Sequence, residues 1–230
     1  MEQTNTQFID HLRHQIRSDA LSPSEMRHFF GQFTDYQPDG SIQKHMGYDT
    51  LDVIVNHLIR LDQQPKTTLP HQKEQVHYEP TPARAILDLV DQVDFSRNDC
   101  FYDLGAGLGS VAILVHLLGA VPVVGIEVEP AYCQHAKACI TALGITNITF
   151  VQMDARQADY TNGTVFFMFT PFTGQLLEAV LACLEAEAKQ RPITICTYGT
   201  CTLDVARQPW LQITHTAAKH PYTLAVFESQ

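Results

Sequence analysis

The stretch from Cys100 to Ser110, CFYDLGAGLGS, decides the fold of this chain. Two β-prone aromatic residues lead into Asp103, and three glycines then alternate with Ala106 and Leu108. A strand that ends in a glycine-rich loop is typical of nucleotide-binding α/β folds, because backbone without Cβ atoms can approach a ligand closely. The stretch therefore predicts a buried strand, a ligand-binding loop and a helix behind it.

The composition is typical of a globular protein outside the membrane. The 230 residues are 45% hydrophobic and 17% charged, and the formal net charge is -10, so nucleic acid is an unfavoured partner. Six cysteines stand at uneven spacings without a CxxC or Cys/His pair, which predicts reduced thiols, no metal site and a cytoplasmic location. The N-terminus lacks a signal-peptide pattern, and no membrane partner is expected.

The first part of the chain is predicted to be helical. Apolar residues recur every fourth position from Phe8 to Ile16, and LSPSEMRHFF combines Ser22 as N-cap, Pro23 and Glu25 in a capping box. A third helix is predicted around 51–59. The two prolines of 62–74 indicate a linker. We therefore divide the chain into a helical region with its linker, residues 1–75, and a second domain, residues 76–230; the helices could cover a pocket or form an oligomer interface.

From Tyr78 onward, strand and helix patterns alternate. A helix is predicted near 83–93, strands near Phe101, Val123, Ile148, Val165 and Ile193, and a final hairpin from WLQITHT and YTLAVFES. His116, Gly119, Pro122 and Gly125 divide the apolar run at 111–128 into a helix, a turn and a strand. The predicted fold is α/β: a Rossmann-like sheet of seven strands, mostly parallel with a C-terminal antiparallel hairpin, plus a small N-terminal helical region.

Acidic residues follow the first three predicted strands, at the sheet edge where parallel α/β folds bind ligands. Asp103 would repel the pyrophosphate of a dinucleotide, whereas it would bind the α-ammonium of S-adenosylmethionine with about 1.5 to 3 kcal/mol. Glu127, twenty residues beyond Gly107, can accept both ribose hydroxyls of either ligand, and Asp154 suits an adenine amino group. The alternative is that the glycines only end a strand and the acids only cap helices. An NAD-dependent enzyme is the weaker cofactor alternative.

These motifs resemble the class I S-adenosylmethionine-dependent methyltransferases over about 78–230. DLGAGLG is similar to the first motif of that family, VVGIEVEP to the second and QMDA to the third. The resemblance implies that the first motif surrounds the methionine part of the cofactor, the second binds the ribose and the third binds the adenine. The implied cofactor residues are Asp103, Gly105, Ala106, Gly107, Gly109, Glu127, Asp154 and Ala155.

A narrower likeness involves YEPTP and FMFTPF. Their order is similar to that of the non-SET histone lysine methyltransferase family and its bacterial relatives, which implies that Tyr78, Thr81 and Glu79 form a lid over the cofactor. That family has an asparagine before its F-x-F-x-P segment, whereas Phe166 stands here. A shared cofactor site is therefore the inference from this likeness, rather than histone activity.

The methyl acceptor is predicted to bind near the fourth strand end. Thr170, Pro171 and Phe172 are the candidates for shaping that site, and the hairpin loop AAKHPY would add His220 as a proton acceptor and Tyr222. Phe169 and Phe172 could instead be core residues. The TPF segment differs from the N/D-P-P-aromatic segment of enzymes that methylate base amines.

The acceptor is therefore predicted to be a protein side chain with a lysine-like amine, or a small molecule. The alternatives are a non-catalytic S-adenosylmethionine-binding interaction protein and, less favoured, an RNA methyltransferase.

Overall fold

The N-terminal region folds into three helices. The computed structural model describes residues 2–35, 48–70, 73–216 and 220–230. The helices are α1 (Glu2–Arg17), α2 (Pro23–Gly31) and α3 (Thr50–Leu58). The predicted capping box of α2 is confirmed, because the amide of Glu25 donates to Ser22 Oγ and the amide of Ser22 donates to the Glu25 carboxylate. A second capping box, formed by Asp49 and Asp52, begins α3.

A seven-stranded sheet forms the centre of the molecule. Its strands are β1 (Phe101–Leu104), β2 (Val123–Glu127), β3 (Ile148–Gln152), β4 (Val165–Phe169), β5 (Thr194–Tyr198), β6 (Leu211–Thr216) and β7 (Ala225–Ser229). They lie in the order β3-β2-β1-β4-β5-β7-β6. The first five strands are parallel, and β7 pairs antiparallel with both β5 and β6. The predicted fold class is confirmed, including the C-terminal hairpin.

Helices cover both faces of the sheet. They are α4 (Ala83–Gln92), α5 (Ser110–Gly119), α6 (Pro130–Leu143), α7 (Gly174–Ala188) and the short α8 (Thr202–Val205), with 3-10 turns at Leu61–Gln63 and Ala155–Gln157. Among the described residues, none of the helices is long and apolar enough to cross a membrane. The run at 111–128 is the predicted helix, turn and strand.

Two hydrophobic cores lie on opposite faces of the sheet, because successive side chains of a strand alternate. Phe101 and Phe167 belong to one core, and Tyr102 and Phe166 belong to the other. The first core also contains buried residues of α1, α2 and α3, together with those of α4, α5 and α6. The N-terminal helices therefore extend the helical layer on one face of the sheet. The division of the chain at residue 75 stays a prediction.

Candidate active site

The glycine loop after β1 is shaped by close backbone contacts. Gly105, Gly107 and Gly109 have φ of 79°, 53° and 88°, in the left-handed region that side chains rarely adopt. A Cβ atom on Gly105 would lie 2.3 Å from the Cβ of Pro171, and one on Gly107 would lie 2.3 Å from the Tyr78 ring. The loop therefore requires glycine, and it packs directly against two other segments of the site.

Asp103 lies buried at the base of this loop. Its side chain is 3% exposed, and its Oδ2 atom has no hydrogen-bond partner among the described residues. Burial raises the pKa of Asp103 to about 7; the Glu127 carboxylate adds to the increase, and a hydrogen bond from the backbone of Ala112 opposes it. A buried carboxylate with one unpaired oxygen is costly, so this position favours a cationic partner.

Glu127, at the end of β2, connects two backbone segments. Its Oε2 accepts a hydrogen bond from the amide of Gly107 at 2.7 Å, and its Oε1 accepts one from the amide of Glu129 at 2.8 Å. Burial raises the pKa of Glu127, and these hydrogen bonds partly offset that effect. Each carboxylate oxygen can accept a further hydrogen bond. The side chain can therefore hold the glycine loop and still bind hydroxyl groups.

Asp154, beyond β3, already has a charged partner. Both of its oxygens accept hydrogen bonds from the Arg156 guanidinium, the shortest at 2.6 Å, and Oδ1 also accepts one from the Arg156 amide. The hydrogen bonds from Arg156 hold the pKa of Asp154 below its usual value. Asp154 and Ala155 both line the site, and Ala155 begins a 3-10 turn there.

A segment that we call the strap, residues 67–81, crosses the site; residues 71 and 72 lie outside the described part of the chain. One anchor is Glu129, whose carboxylate accepts hydrogen bonds from the amides of Thr68 and Leu69, each at 3.0 Å, and from the Thr68 hydroxyl at 2.7 Å. Burial opposes ionisation of Glu129, but these hydrogen bonds and one from Ala131 outweigh it and lower its pKa.

The second anchor of the strap is the loop between β4 and α7. The amide of Val76 donates to the carbonyl oxygen of Pro171 at 3.1 Å, and the amide of Thr173 donates to that of Glu74 at 2.9 Å. The Glu74 carboxylate also accepts a hydrogen bond from the amide of Leu176 at 2.9 Å, in the first turn of α7. The strap is therefore fixed on both sides of the site. Sequence analysis missed both anchoring glutamates.

The loop after β4 is strained and is held by a hydrogen bond. Thr170 has φ of 37°, which is unfavourable for a β-branched residue. Its Oγ1 accepts a hydrogen bond from the amide of Cys201 at 3.1 Å, so the hydroxyl links this loop to the turn after β5. Pro171 packs against Gly105, and Phe172 is buried and forms a β-bridge with Gln75 of the strap. These residues form one wall of the site.

His220 lies at the same edge of the sheet. The amide of Gly199, after β5, donates to the carbonyl oxygen of Pro221 at 2.7 Å, so the end of the hairpin loop returns to the carboxyl edge as predicted. The Nδ1 atom of His220 accepts a hydrogen bond from the amide of Tyr222 at 3.1 Å. In a neutral ring with this bond, Nε2 carries the proton, so this tautomer is poorly suited to accept another. A role for His220 as a base stays a prediction.

These elements enclose a cavity of about 220 Å³. The residues from the sequence-based site that line it are Tyr78, Glu79, Thr81, Asp103, Gly105, Ala106, Gly107, Glu127, Asp154, Ala155, Thr170, Pro171 and Phe172. Gly109 supports the loop from behind, where its backbone approaches Phe150. Tyr132, Met153 and the strap residue Leu69 also line the cavity but were not predicted. The described residues contain no cluster of His, Cys, Asp and Glu that could hold a metal ion.

The sheet order and the seven strands match the Rossmann-like methyltransferase fold. The family model described as a methyltransferase domain matches residues 101–188, from β1 to the end of α7. The resemblance to class I methyltransferases, which use S-adenosylmethionine as methyl donor, is therefore confirmed. The likeness to the non-SET histone lysine methyltransferases stays a prediction.

Solved structures support the same fold. An RNA methyltransferase from Salinibacter ruber in complex with S-adenosyl-L-homocysteine is 22% identical; the match covers 66% of this chain and 94% of that one, with a TM-score of 0.54. The ribosomal protein L11 methylase from Lactobacillus delbrueckii subsp. bulgaricus is 14% identical, with 64% and 78% covered and a TM-score of 0.50. A precorrin-6y C5,15-methyltransferase from Geobacter metallireducens is 15% identical, with 73% and 99% covered and a TM-score of 0.50. No curated protein matches the sequence.

Proposed function

We propose that this enzyme transfers the methyl group of S-adenosylmethionine to a protein side chain with a lysine-like amine, or to a small molecule. The observation that carries the proposal is the buried Asp103 carboxylate, whose Oδ2 lies unpaired beside the glycine loop in the cavity. An α-ammonium group is the cationic partner that this position lacks. A dinucleotide would bring phosphate there instead, with unfavourable charge.

The other residues around the cavity fit the remaining parts of this cofactor. Glu127 would bind the ribose hydroxyls while holding the Gly107 amide. Asp154 and Ala155 would contact the adenine, with Asp154 oriented by Arg156. Tyr78 and Thr81 of the strap would cover the methionine part. When bound, S-adenosylmethionine supplies an electrophilic methyl group on a sulfonium.

The residues of the chain contribute mainly alignment and exclusion of water to the transfer. Thr170, Pro171 and Phe172 would position the acceptor, since they line the cavity and Pro171 packs against the glycine loop. The strap would keep bulk water out of the cavity from the other side. A base is needed only for an acceptor that arrives protonated.

A second candidate function is binding of S-adenosylmethionine without transfer, as an interaction module. The hydrogen bond at His220 Nδ1 favours it, because the one histidine predicted as a base is engaged in the loop. An RNA acceptor is less favoured because the net charge is -10.

The test combines calorimetry with product analysis. The purified chain is titrated with S-adenosylmethionine, S-adenosylhomocysteine and NADH, and then incubated with basic peptides, metabolites and RNA while S-adenosylhomocysteine formation is measured. We expect tight binding of the sulfur ligands, no binding of NADH, and turnover with peptides or metabolites. Binding without turnover in any pool would favour the second candidate, whereas binding of NADH alone would refute the cofactor assignment.

The strap is expected to limit release of the cofactor product. Replacing Glu129 with alanine removes three hydrogen bonds from Thr68 and Leu69. Hydrogen bonds to a charged group contribute about 1.5 to 3 kcal/mol each, so we expect S-adenosylhomocysteine to dissociate about tenfold faster or more in stopped-flow measurements. The exposed Glu178→Ala variant in α7 serves as control and should leave the rate unchanged. If the dissociation rate is unchanged in Glu129→Ala, anchoring of the strap by Glu129 does not control product release. The carboxylate would then serve only as the N-cap of α6.

A further inference from the structure

Two hydrogen bonds join the acceptor wall, which is formed by Thr170, Pro171 and Phe172, to Cys201 in the turn after β5. The amide of Thr170 donates to the Sγ atom of Cys201 at 3.3 Å, and the amide of Cys201 donates to the Oγ1 atom of Thr170 at 3.1 Å. The two residues therefore hold each other through both side chains and both backbone amides. Both are buried, so an amide that lost its partner here would not be hydrated instead.

This contact holds Thr170 in a conformation that the residue does not favour by itself. Its φ of 37° is costly for a β-branched side chain, and such a residue keeps this angle only where its surroundings prevent it from relaxing. Gly199 lies on the other side of the hydroxyl, because a Cβ atom there would be 2.5 Å from Thr170 Oγ1. The turn after β5 therefore encloses the Thr170 side chain closely.

The Cys201 side chain lies behind the acceptor wall. It is 1% exposed and is not among the described residues that line the cavity. Burial raises the pKa of the Cys201 thiol, and hydrogen bonds with Thr170 partly offset this increase. The neutral thiol can donate to the carbonyl oxygen of Met168 or of Tyr198, each at 3.7 Å, while it accepts from the Thr170 amide. Cys201 therefore acts on the site through Thr170.

The backbone of Thr170 determines where the next residue lies, and Pro171 contacts two other parts of the site. A Cβ atom on Gly105 would lie 2.3 Å from the Cβ of Pro171, so this proline packs directly against the glycine loop. Its carbonyl oxygen accepts the hydrogen bond from the Val76 amide, which anchors the strap. A change of φ at Thr170 would therefore disturb the glycine loop and the strap together.

We propose that Cys201 is a positioning residue for methyl transfer, which holds Thr170 so that the acceptor wall keeps its place against the glycine loop. This inference rests on the proposed function, because that function gives the wall an acceptor to align. Methyl transfer requires an in-line approach to the methyl group, so a small displacement of the wall lowers the rate. The sequence alone predicts only a reduced thiol at this position.

The first test compares the affinity of full-chain variants for S-adenosylhomocysteine by calorimetry. Cys201→Ala leaves the buried Thr170 amide without its acceptor, so we expect the affinity to fall at least fivefold. Cys201→Ser supplies a hydroxyl that accepts the same hydrogen bond and should stay within twofold of the unchanged chain. Cys196→Ala is the matched control, because it removes a buried thiol from the other core, and it should also stay within twofold.

A second background separates restraint of the backbone from simple packing. In Thr170→Gly, the glycine adopts a positive φ without strain, so Cys201 has no strain left to oppose. Adding Cys201→Ala to Thr170→Gly should therefore change the affinity by less than twofold. Lost packing around the missing sulfur would instead lower the affinity by the same factor in both backgrounds, and that result would overturn the inference.

Hydrogen exchange reports the position of the wall without any ligand. The Val76 amide should exchange at least fivefold faster in Cys201→Ala than in the unchanged chain, because its acceptor on Pro171 is displaced. Equal exchange in Cys201→Ala and Cys196→Ala would overturn the inference. With an acceptor pool that supports turnover, we expect Cys201→Ala to lower the rate at saturating S-adenosylmethionine at least tenfold and Cys201→Ser to restore it. Absence of turnover in every pool would count against the proposed function instead, and exchange at Val76 would still decide whether Cys201 holds the wall.

Discussion

Replacing Asp103 with asparagine is expected to stabilise the fold above pH 7 while weakening S-adenosylmethionine binding at least tenfold. Burial raises the pKa of this carboxyl to about 7 in the folded chain, whereas an unfolded aspartate titrates near 3.8. The folded state therefore binds more protons between these values, and the free energy of unfolding falls as pH rises through them. Above pH 7 the folded chain carries the full cost of the buried charge.

The asparagine side chain removes that cost. Each unit of pKa difference corresponds to about 1.4 kcal/mol, so we expect Asp103→Asn to gain more than 1.4 kcal/mol in free energy of unfolding at pH 8. The gain should shrink toward zero near pH 4, where the native carboxyl is protonated. Urea unfolding at several pH values measures both effects. The exposed Asp94→Asn variant is the control, and a loss of stability in Asp103→Asn at every pH would contradict the interpretation.

The same carboxyl should make cofactor binding depend on pH. Below about pH 7 the Asp103 carboxyl of the free protein holds a proton, which the α-ammonium of the ligand must displace. We therefore expect affinity to fall by up to about tenfold per unit between pH 7 and pH 5.5, with proton release in calorimetry. Asp103→Asn should lose this dependence together with the ionic hydrogen bond. A pH-independent affinity in the unchanged chain would exclude Asp103 as the ammonium partner.

The fold could be predicted because its signals are local. Strand β1 and the helix that begins at Ser110 are apolar at nearly every position, and a glycine directly follows the strand and directly precedes the helix. Ser22 with Glu25 forms a capping box within four residues. Such patterns involve residues that are close together in sequence, so they can be recognised without knowledge of the tertiary structure.

The strap anchors could not be predicted in this way. Glu74 and Leu176 are separated by 102 positions, and Thr68 and Glu129 by 61, so their hydrogen bonds exist only after the sheet has formed. The Asp154 and Arg156 pair is different, because its members are two residues apart and the sequence contained that signal.

The Gly105→Ala variant is expected to lose both stability and cofactor binding. Gly105 has φ of 79°, so any side chain costs about 1 to 2 kcal/mol in backbone strain. Its Cβ would lie 2.3 Å from the Cβ of Pro171, and such overpacking costs about 1 to 3 kcal/mol more. We therefore expect a loss of about 2 to 5 kcal/mol in free energy of unfolding. S-adenosylhomocysteine affinity should fall at least tenfold because the loop and the acceptor wall move apart.

Gly31 provides the matched control, because a Cβ built there would meet nothing within 4 Å outside its chain neighbours and the backbone of its own helix, and its backbone is helical. Gly31→Ala should gain about 0.5 to 1 kcal/mol and leave binding unchanged. Adding Pro171→Gly to Gly105→Ala removes the clash but not the strained φ. Compared with Pro171→Gly alone, the double variant should lose only about 1 to 2 kcal/mol in free energy of unfolding, which is the cost of the strained φ. The part of the loss that comes from the clash should be absent. If no part is recovered, the contact between the glycine loop and Pro171 does not determine the geometry of the site.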